Sequence, residues 1–225
     1  MKILLILPTC LFTLFLAHIL GINPTNAQNP YNRNNNDTDT QIIGFATTLL
    51  ANKKPEGLLG NFIADAVKNE AEIYLRKRID FVFISAKAIR GALNKGEVSV
   101  RMIQDLLPFD DSLAYLEVSG KELQSVLDRI AQEGGAPVSG VRMKIRNMRA
   151  TNIVLDGDSL VPEKEYLLVT IERNAQGHEN FSSLKHIPYK KLPNTLTSTV
   201  IRHIKKITSE GKALNAFFGH RISYD

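Results

Sequence analysis

The stretch PEGLLGNFIADA, residues 55–66, opens the most strongly patterned segment of this 225-residue chain. A proline and a glycine break the segment before it. From Leu58 onward, apolar residues recur at the three- and four-residue spacing of an amphipathic helix. The pattern reaches Tyr74 and is followed by the basic residues 76–78, where the helix dipole favours cations. We therefore predict a helix that begins at Leu58 and buries one face.

Helix and strand patterns are mixed along the rest of the chain. Two-residue alternation or short apolar runs predict strands at residues 42–50, 81–84, 113–118, 141–146, 152–155, 166–171 and 219–224. Helical spacing predicts further helices at residues 99–107, 120–131 and 196–207. No internal repeat and no domain boundary interrupts this order. The predicted fold class is α+β, or mixed α/β, in a single domain of residues 42–225.

The first 27 residues have the composition of a secretory signal. Lys2 precedes an apolar run, and small residues close the segment at Ala27. The alternative is a retained transmembrane anchor, which needs roughly 20 apolar residues. Because Pro8 and His18 interrupt the run, we favour cleavage after Ala27. We therefore expect export to the periplasm or beyond the cell, without stable membrane insertion.

Composition narrows the chemistry of the exported chain. Cys10 is the only cysteine, so cleavage would leave no disulfide, thiolate ligand or thiol nucleophile. Residues 28–41, rich in asparagine, are predicted to form a flexible leader. The whole chain carries a formal net charge of +5, and losing Lys2 would lower this by one. This mild charge suits an anionic small molecule, and we expect no nucleic-acid partner.

The run QGHENF, residues 176–181, is the only stretch that resembles a metal site. A pair of metal ions needs several His, Asp or Asn ligands, because the ions lie about 3.5–4 Å apart. His178 and Glu179 supply at most two ligands, and no Asp-x-His or His-x-His occurs. We therefore expect no metal in this chain and interpret His178 as a loop histidine.

Two segments suggest a binding site instead. Arg90 follows a short apolar run and could bind phosphate through the planar fork of its guanidinium, although an arginine at such a position is more often a solvated surface residue. Phe109 could stack on a base beside the carboxylate of Asp111, although such a residue more often belongs to the core. No Gly-x-Ser-x-Gly elbow and no glycine-rich phosphate loop is present.

Six segments in order resemble the C-terminal domain of the 5′-nucleotidase family. Each motif alone is weak, but their order and spacing agree over about residues 42–225. They are residues 55–66 (PEGLLGNFIADA), 80–90 (DFVFISAKAIR), 107–113 (LPFDDSL), 117–123 (EVSGKEL), 138–142 (VSGVR) and 166–170 (YLLVT).

The resemblance implies a set of substrate-binding residues and no catalytic residue. It places a phosphate-contacting arginine at Arg90 and another basic contact at Lys53. It places one stacking aromatic at Phe109 and the position of the second at Arg173, so that the two would hold a base. Its remaining positions fall on Asp111, Asn174, Glu179 and either Gly134 or Gly135. The run of residues 176–181 then corresponds to a nucleotide-binding loop of the family and not to a metal site.

The resemblance also implies a function. In the family a separate N-terminal domain carries the two metals, and nothing before residue 42 resembles it. We therefore expect the substrate-binding half of a split 5′-nucleotidase, which binds a nucleotide or related phosphate ester for a separately encoded metallophosphoesterase. Residues 86–88 replace the Gly-Gly of the family, and Arg173 replaces an aromatic. These departures motivate an alternative, a scaffold or interaction module of the same fold without a nucleotide site.

Overall fold

The structure is a computed structural model that describes residues 39–225. The predicted signal and most of the predicted leader lie outside the described residues. The strands are β1 (Ile42–Ala46), β2 (Leu50–Ala51), β3 (Phe81–Phe83), β4 (Ala92–Leu93), β5 (Gly96–Ser99), β6 (Ser112–Ser119), β7 (Val138–Ser139), β8 (Val141–Arg146), β9 (Arg149–Leu155), β10 (Asp158–Ser159), β11 (Glu165–Ile171), β12 (Tyr189–Thr195) and β13 (Ile222–Tyr224). The helices are α1 (Leu58–Leu75), α2 (Val100–Leu106), α3 (Gly120–Gln132), the short α4 (Glu172–Ala175) and α5 (Leu196–Ser209).

A five-stranded mixed sheet forms the centre, with strand order β12-β6-β11-β3-β7. Only β11 and β3 run parallel, and the other neighbours are antiparallel. A second sheet has the order β10-β9-β8-β13, and two-stranded ribbons pair β1 with β5 and β2 with β4. This mixture of helices and strands confirms the predicted α+β class.

Side chains of the central sheet alternate between two hydrophobic cores, as the two-residue period of a strand requires. Along β3, Val82 enters the first core, whereas Phe81 and Phe83 enter the second. The first core is covered by α1, α2 and α5, and the second by α3 and the four-stranded sheet. The central sheet is thus buried on both faces and forms a rigid base for the loops at its edges.

Local signals explain where the main helices begin and end. The helix α1 begins at Leu58, as predicted, and ends where Arg76 adopts a left-handed conformation with φ of 52°. Ser119 caps α3: its hydroxyl accepts the backbone N–H of Glu122, whose carboxylate accepts the N–H of Ser119 at 2.6 Å. Such reciprocal bonds satisfy donors that the first helical turn leaves unpaired.

One predicted strand is divided in the structure, and several short strands were not predicted. The predicted strand 42–50 is interrupted between β1 and β2, because the two parts pair with different strands. At the interruption, the N–H of Thr47 donates to the carbonyl oxygen of Leu214 at 3.2 Å. The edge strand β12 was not predicted at all, since it contains Pro193 and buries only Leu192.

The segment after α5 joins the two cores. Leu214 belongs to the first core, and its N–H donates to the carbonyl oxygen of Phe45 at 2.8 Å. Eight residues later, Ile222 belongs to the second core, where β13 pairs in parallel with β8. Between them, the carboxylate of Glu56 accepts the backbone N–H groups of Gly219 and Arg221 at 2.8 and 2.9 Å.

Candidate functional site

Four of the loops with predicted site residues converge on one edge of the central sheet. The carboxyl ends of β3 and β11 lie side by side because the strands are parallel. The amino ends of β6 and β7 reach the same edge because each is antiparallel to its neighbour, as the pairs Leu113–Ile171 and Val138–Phe83 show. Loops at the carboxyl ends of strands commonly form ligand sites in α/β sheets.

Arg90 and Phe109 contact one another at this edge. The backbone N–H of Arg90 donates to the carbonyl oxygen of Leu106 at 2.8 Å, which holds its segment against the end of α2. The guanidinium carbon of Arg90 lies 5.1 Å from the centroid of the Phe109 ring, within the range of a cation–π contact. Phe109 is 49% exposed. It is therefore an accessible ring of the site and not the core residue that the sequence left possible.

Lys53 lies on the loop that follows β2. The last register pair of β2 and β4 is Ala51 with Ala92; Lys53 follows Ala51 by two residues, and Arg90 precedes Ala92 by two residues. The side-chain amide of Asn52 supports this placement by donating to the carbonyl oxygen of Ile89 at 3.3 Å. Within residues 39–225, neither Lys53 nor Arg90 has a carboxylate partner. Both cations are thus available for an anion.

A cleft of about 340 Å³ opens beside Arg90, between β4 and α2. Its lining includes Leu93 and Met102, together with the charged residues Lys95 and Asp105. The cleft is large enough to accept part of a small ligand.

Arg173, by contrast, is already paired. Its Nε lies 2.8 Å from Oδ1 of Asp111, and its Nη2 donates to Oδ2 at 2.9 Å. Its Nη1 lies 3.8 Å from the carboxylate of Glu179. The same guanidinium lies over Phe109, with its carbon 5.5 Å from the ring centroid. Arg173 and Phe109 are therefore brought together, as predicted, but in direct contact with one another.

A polar network connects Glu179 to the remaining loops. Its carboxylate accepts a short hydrogen bond from the hydroxyl of Ser85, just after β3. Its carbonyl oxygen accepts from Nε of Arg129 at 3.3 Å, and Arg129 pairs in turn with Glu133. The ammonium of Lys54 donates to the carbonyl oxygen of Glu133. Ser85 and Arg129 are site residues that sequence reasoning missed; the only signal was the position of Ser85 directly after a buried strand.

Gly135 is fixed by a close backbone approach. Its φ is +112°, and a Cβ atom there would lie 2.3 Å from the carbonyl oxygen of Pro55. A side chain at this position would push apart the loops before α1 and after α3. Gly135 therefore positions the loop of Lys53, whereas at Gly134 a Cβ would meet its nearest neighbour only at 3.4 Å.

Asn174 lies beneath the site and is fully buried. Within the described residues, neither its Nδ2 nor its Oδ1 has a hydrogen-bond partner, and the buried hydroxyl of Thr170 is also unpaired. Buried amides without a partner are costly. Because its side chain is fully buried, Asn174 does not reach the surface of the site with Arg173.

The loop with the sequence QGHENF places His178 at the surface. Its backbone N–H donates to the carbonyl oxygen of Arg173 at 3.0 Å, which closes the turn after α4. Among residues 39–225, no three His, Cys, Asp or Glu side chains are grouped as a metal site would require. Of this loop, Glu179 belongs to the polar network, through its carboxylate and its carbonyl oxygen.

Beside the site, α4 is tied to the edge strand β12. The ammonium of Lys191 lies 2.8 Å from the carboxylate of Glu172, which also accepts the hydroxyl of Tyr189 at 3.0 Å. The hydrogen bond from Lys191 is the main reason that the pKa of Glu172 falls below its usual range. The same bond raises the pKa of Lys191.

The amino-acid sequence matches the family described as 5′-nucleotidase, C-terminal domain, over residues 29–186. The chain belongs to this family. The resemblance that the six sequence segments indicated is thereby confirmed, and the site described above lies in a 5′-nucleotidase C-terminal domain.

Relatives of known name match this domain at low identity. Protein UshA of Salmonella pullorum is 27% identical over 120 residues, which cover 50% of this chain and 22% of that protein. The 5′-nucleotidase of Vibrio vulnificus is 25% identical over 118 residues, which cover 50% of this chain and 21% of that protein. The chain thus spans about a fifth of the length of these curated relatives.

Solved structures share the fold. The 5′-nucleotidase precursor of Thermus thermophilus superposes with a TM-score of 0.74 at 22% identity, covering 83% of this chain and 40% of that one. The NAD nucleotidase of Haemophilus influenzae gives a TM-score of 0.68 at 15% identity, covering 84% of this chain and 38% of that one.

Among residues 39–225, every helix is too short or too polar to cross a bilayer.

Proposed function

We propose that this 5′-nucleotidase C-terminal domain binds a nucleotide or a related phosphate ester. One observation carries the proposal: Arg90 lies against the accessible ring of Phe109, and neither Arg90 nor Lys53 has a carboxylate partner in the described residues. A phosphate needs such unpaired donors, and a base or sugar can pack on such a ring.

Each part of the site has a distinct task. The fork of Arg90 would hold two phosphate oxygens, and the ammonium of Lys53 would add a third contact from the facing loop. The network of Asp111, Arg173 and Glu179 keeps the loops fixed, so that binding would cost little ordering of the protein.

We further propose that hydrolysis requires a separately encoded metallophosphoesterase. Among residues 39–225, no three His, Cys, Asp or Glu side chains are grouped as the ligands of a pair of metal ions would be. The partner would supply the metal-activated water, whereas this chain would bind the ester and orient its phosphate. Affinity capture of the tagged chain from its native cells should recover a metallophosphoesterase, and repeated recovery of none would contradict the pairing.

The composition of residues 1–27 supports export of the chain. We expect the mature protein to begin at Gln28, in the periplasm or the medium. Cell fractionation with mass spectrometry of the N-terminus tests this expectation. Recovery of the uncut chain from the cytoplasm would contradict it.

Calorimetric titration tests ligand binding directly. We expect the purified chain to bind AMP saturably and at least tenfold more tightly than adenosine, because the phosphate contacts dominate. Arg90→Ala should weaken AMP binding by at least tenfold. Arg142→Ala, at an exposed arginine of β8 away from the site, is the matched control and should change nothing. Absence of AMP binding at millimolar concentration would overturn the proposal.

One observation favours a second candidate, a scaffold without a nucleotide site. The guanidinium of Arg173 already lies on Phe109, where a base would otherwise stack. If the chain recruits a partner protein and binds no phosphate ester even with that partner present, the scaffold function replaces the first.

A further inference from the structure

The spacing between Arg173 and Phe109 limits what can enter the site. The guanidinium carbon lies 5.5 Å from the ring centroid. A base held between two planes needs about 3.5 Å on each side, and so about 7 Å between the planes. The gap is therefore too narrow for a base unless Arg173 moves away.

The ion pairs of Arg173 oppose that movement. Asp111 holds the guanidinium through both carboxylate oxygens, and its side chain is only 8% exposed. Displacing Arg173 would leave this buried carboxylate without its partner, which is costly. Glu179 adds a second anion on the same guanidinium. The charges of Arg173 are thus used within the protein and do not attract a ligand.

The contacts for phosphate are unaffected by this arrangement. Arg90 and Lys53 keep no carboxylate partner within residues 39–225, and their loops are held by backbone and side-chain hydrogen bonds. A base attached to the phosphate would reach only the part of Phe109 that neither Arg90 nor Arg173 covers. Stacking on one ring face tolerates every base, because each has a π face.

We propose, building on the proposed function, that this site selects the phosphate monoester and not the base. Arg173 is the specificity-determining residue, because it fills the space that a second stacking plane would leave for a base. The substrate class is then phosphate monoesters of ribose with any base or with none. Arg173 acts here as a positioning residue and does not touch the phosphate.

The test compares ligands that differ only in the base. The purified full-length chain is titrated by calorimetry with AMP, GMP, CMP and UMP, with ribose 5-phosphate, and with adenosine. We expect the four nucleotides to agree within fivefold and ribose 5-phosphate to lie within tenfold of AMP. Adenosine should bind at least tenfold more weakly than AMP. A larger preference for one base, or a larger loss for ribose 5-phosphate, overturns the inference and leaves the proposed function standing.

A paired substitution tests the role of Arg173 itself. The double variant Arg173→Phe, Asp111→Asn replaces the guanidinium by a ring and removes the carboxylate that would be left unpaired. We expect its preference for AMP over ribose 5-phosphate to rise at least fivefold over that of the unaltered chain, since a second ring completes a stack. An unchanged preference in a folded variant overturns the role of Arg173. If the variant does not fold, the ligand series on the unaltered chain decides alone, and failure of every ester to bind overturns the proposed function.

Discussion

Glu70 is a buried carboxylate between α1 and α5, with its side chain 4% exposed. It accepts from Nε of Arg202 at 2.8 Å and lies 3.3 Å from Nδ1 of His203. Arg202→Ala would leave this buried charge with only the histidine. We expect the variant to lose about 1–3 kcal/mol of unfolding free energy, measured by urea denaturation.

Arg101→Ala is the matched control for that loss. Arg101 pairs with Asp105 on the surface of α2, and both side chains are more than 60% exposed. Exposed pairs contribute about 0–1 kcal/mol. An equal loss of unfolding free energy in Arg202→Ala and Arg101→Ala would contradict the expectation that the buried Glu70 makes the Arg202 contact more stabilising than an exposed pair.

Glu172 makes stability depend on pH. Its pKa is lowered in the folded protein, mainly by the hydrogen bond from Lys191, so the folded state binds its proton less readily than the unfolded chain does. The pair therefore stabilises the fold above the ordinary carboxyl pKa of 4.5 and loses this effect as the pH falls below it. Urea unfolding should show a difference in unfolding free energy between the unaltered chain and Glu172→Gln. This difference should be constant near about pH 6 and shrink toward about pH 3.

Glu117→Gln provides the comparison, because the exposed Glu117 has no ion-pair partner within residues 39–225. Its stability should follow that of the unaltered chain across the same range. A constant difference for Glu172→Gln down to the lowest pH would contradict the assigned pKa change.

Individual side-chain contacts are the part of the site that sequence could not predict. The order of motifs predicted that Arg90, Phe109 and Arg173 belong to one site, and the structure brings them together. The order of motifs could not predict that the guanidinium of Arg173 lies on the ring of Phe109 itself. That contact depends on Asp111, which is 62 residues away, and no local pattern encodes the direction of a side chain toward a distant partner.

At the scale of single elements, substitution of Ser119 tests whether the N-cap of α3 stabilises the fold. The hydroxyl of Ser119 accepts the N–H of Glu122 at 3.3 Å. Ser119→Ala removes this acceptor and should cost about 1 kcal/mol in urea unfolding. Ser125→Ala, in the interior of the same helix, should cost nothing, because alanine favours the helix more than serine does. A loss at Ser125 as large as that at Ser119 would refute the capping role.

The long helices and buried strands could be predicted because their patterns extend over many residues. The helix α1 begins at Leu58 and α5 covers Leu196–Ser209, close to the predicted bounds. The strand β12 could not be predicted, because an edge strand needs few apolar residues and tolerates Pro193. Likewise, the interruption near Thr47 depends on a partner at Leu214 that no local pattern reveals.

At the scale of the whole molecule, the two cores share one sheet and should unfold together. Leu59 in the first core and Leu127 in the second are both almost fully buried. Leu59→Ala and Leu127→Ala should each lower the unfolding free energy by about 2–5 kcal/mol. Because the cores share strands, each variant should keep a single transition with an unchanged dependence on urea.

Two probes can follow that transition independently. Circular dichroism reports the helices, and fluorescence reports the six tyrosines without interference, since the chain has no tryptophan. Coincident curves are expected from both probes. A second transition in either variant would show that the cores are separate folding units.

The segment from Leu214 to Ile222 has a consequence for how the protein is made. Each end of it completes one of the two cores, and it is among the last described residues to leave the ribosome. At about 5–20 residues per second, the chain would wait roughly tens of seconds with both cores open. During that time its apolar strands would be exposed to other nascent chains. The first core therefore cannot be completed before Leu214 has been synthesised, nor the second before the residues of β13.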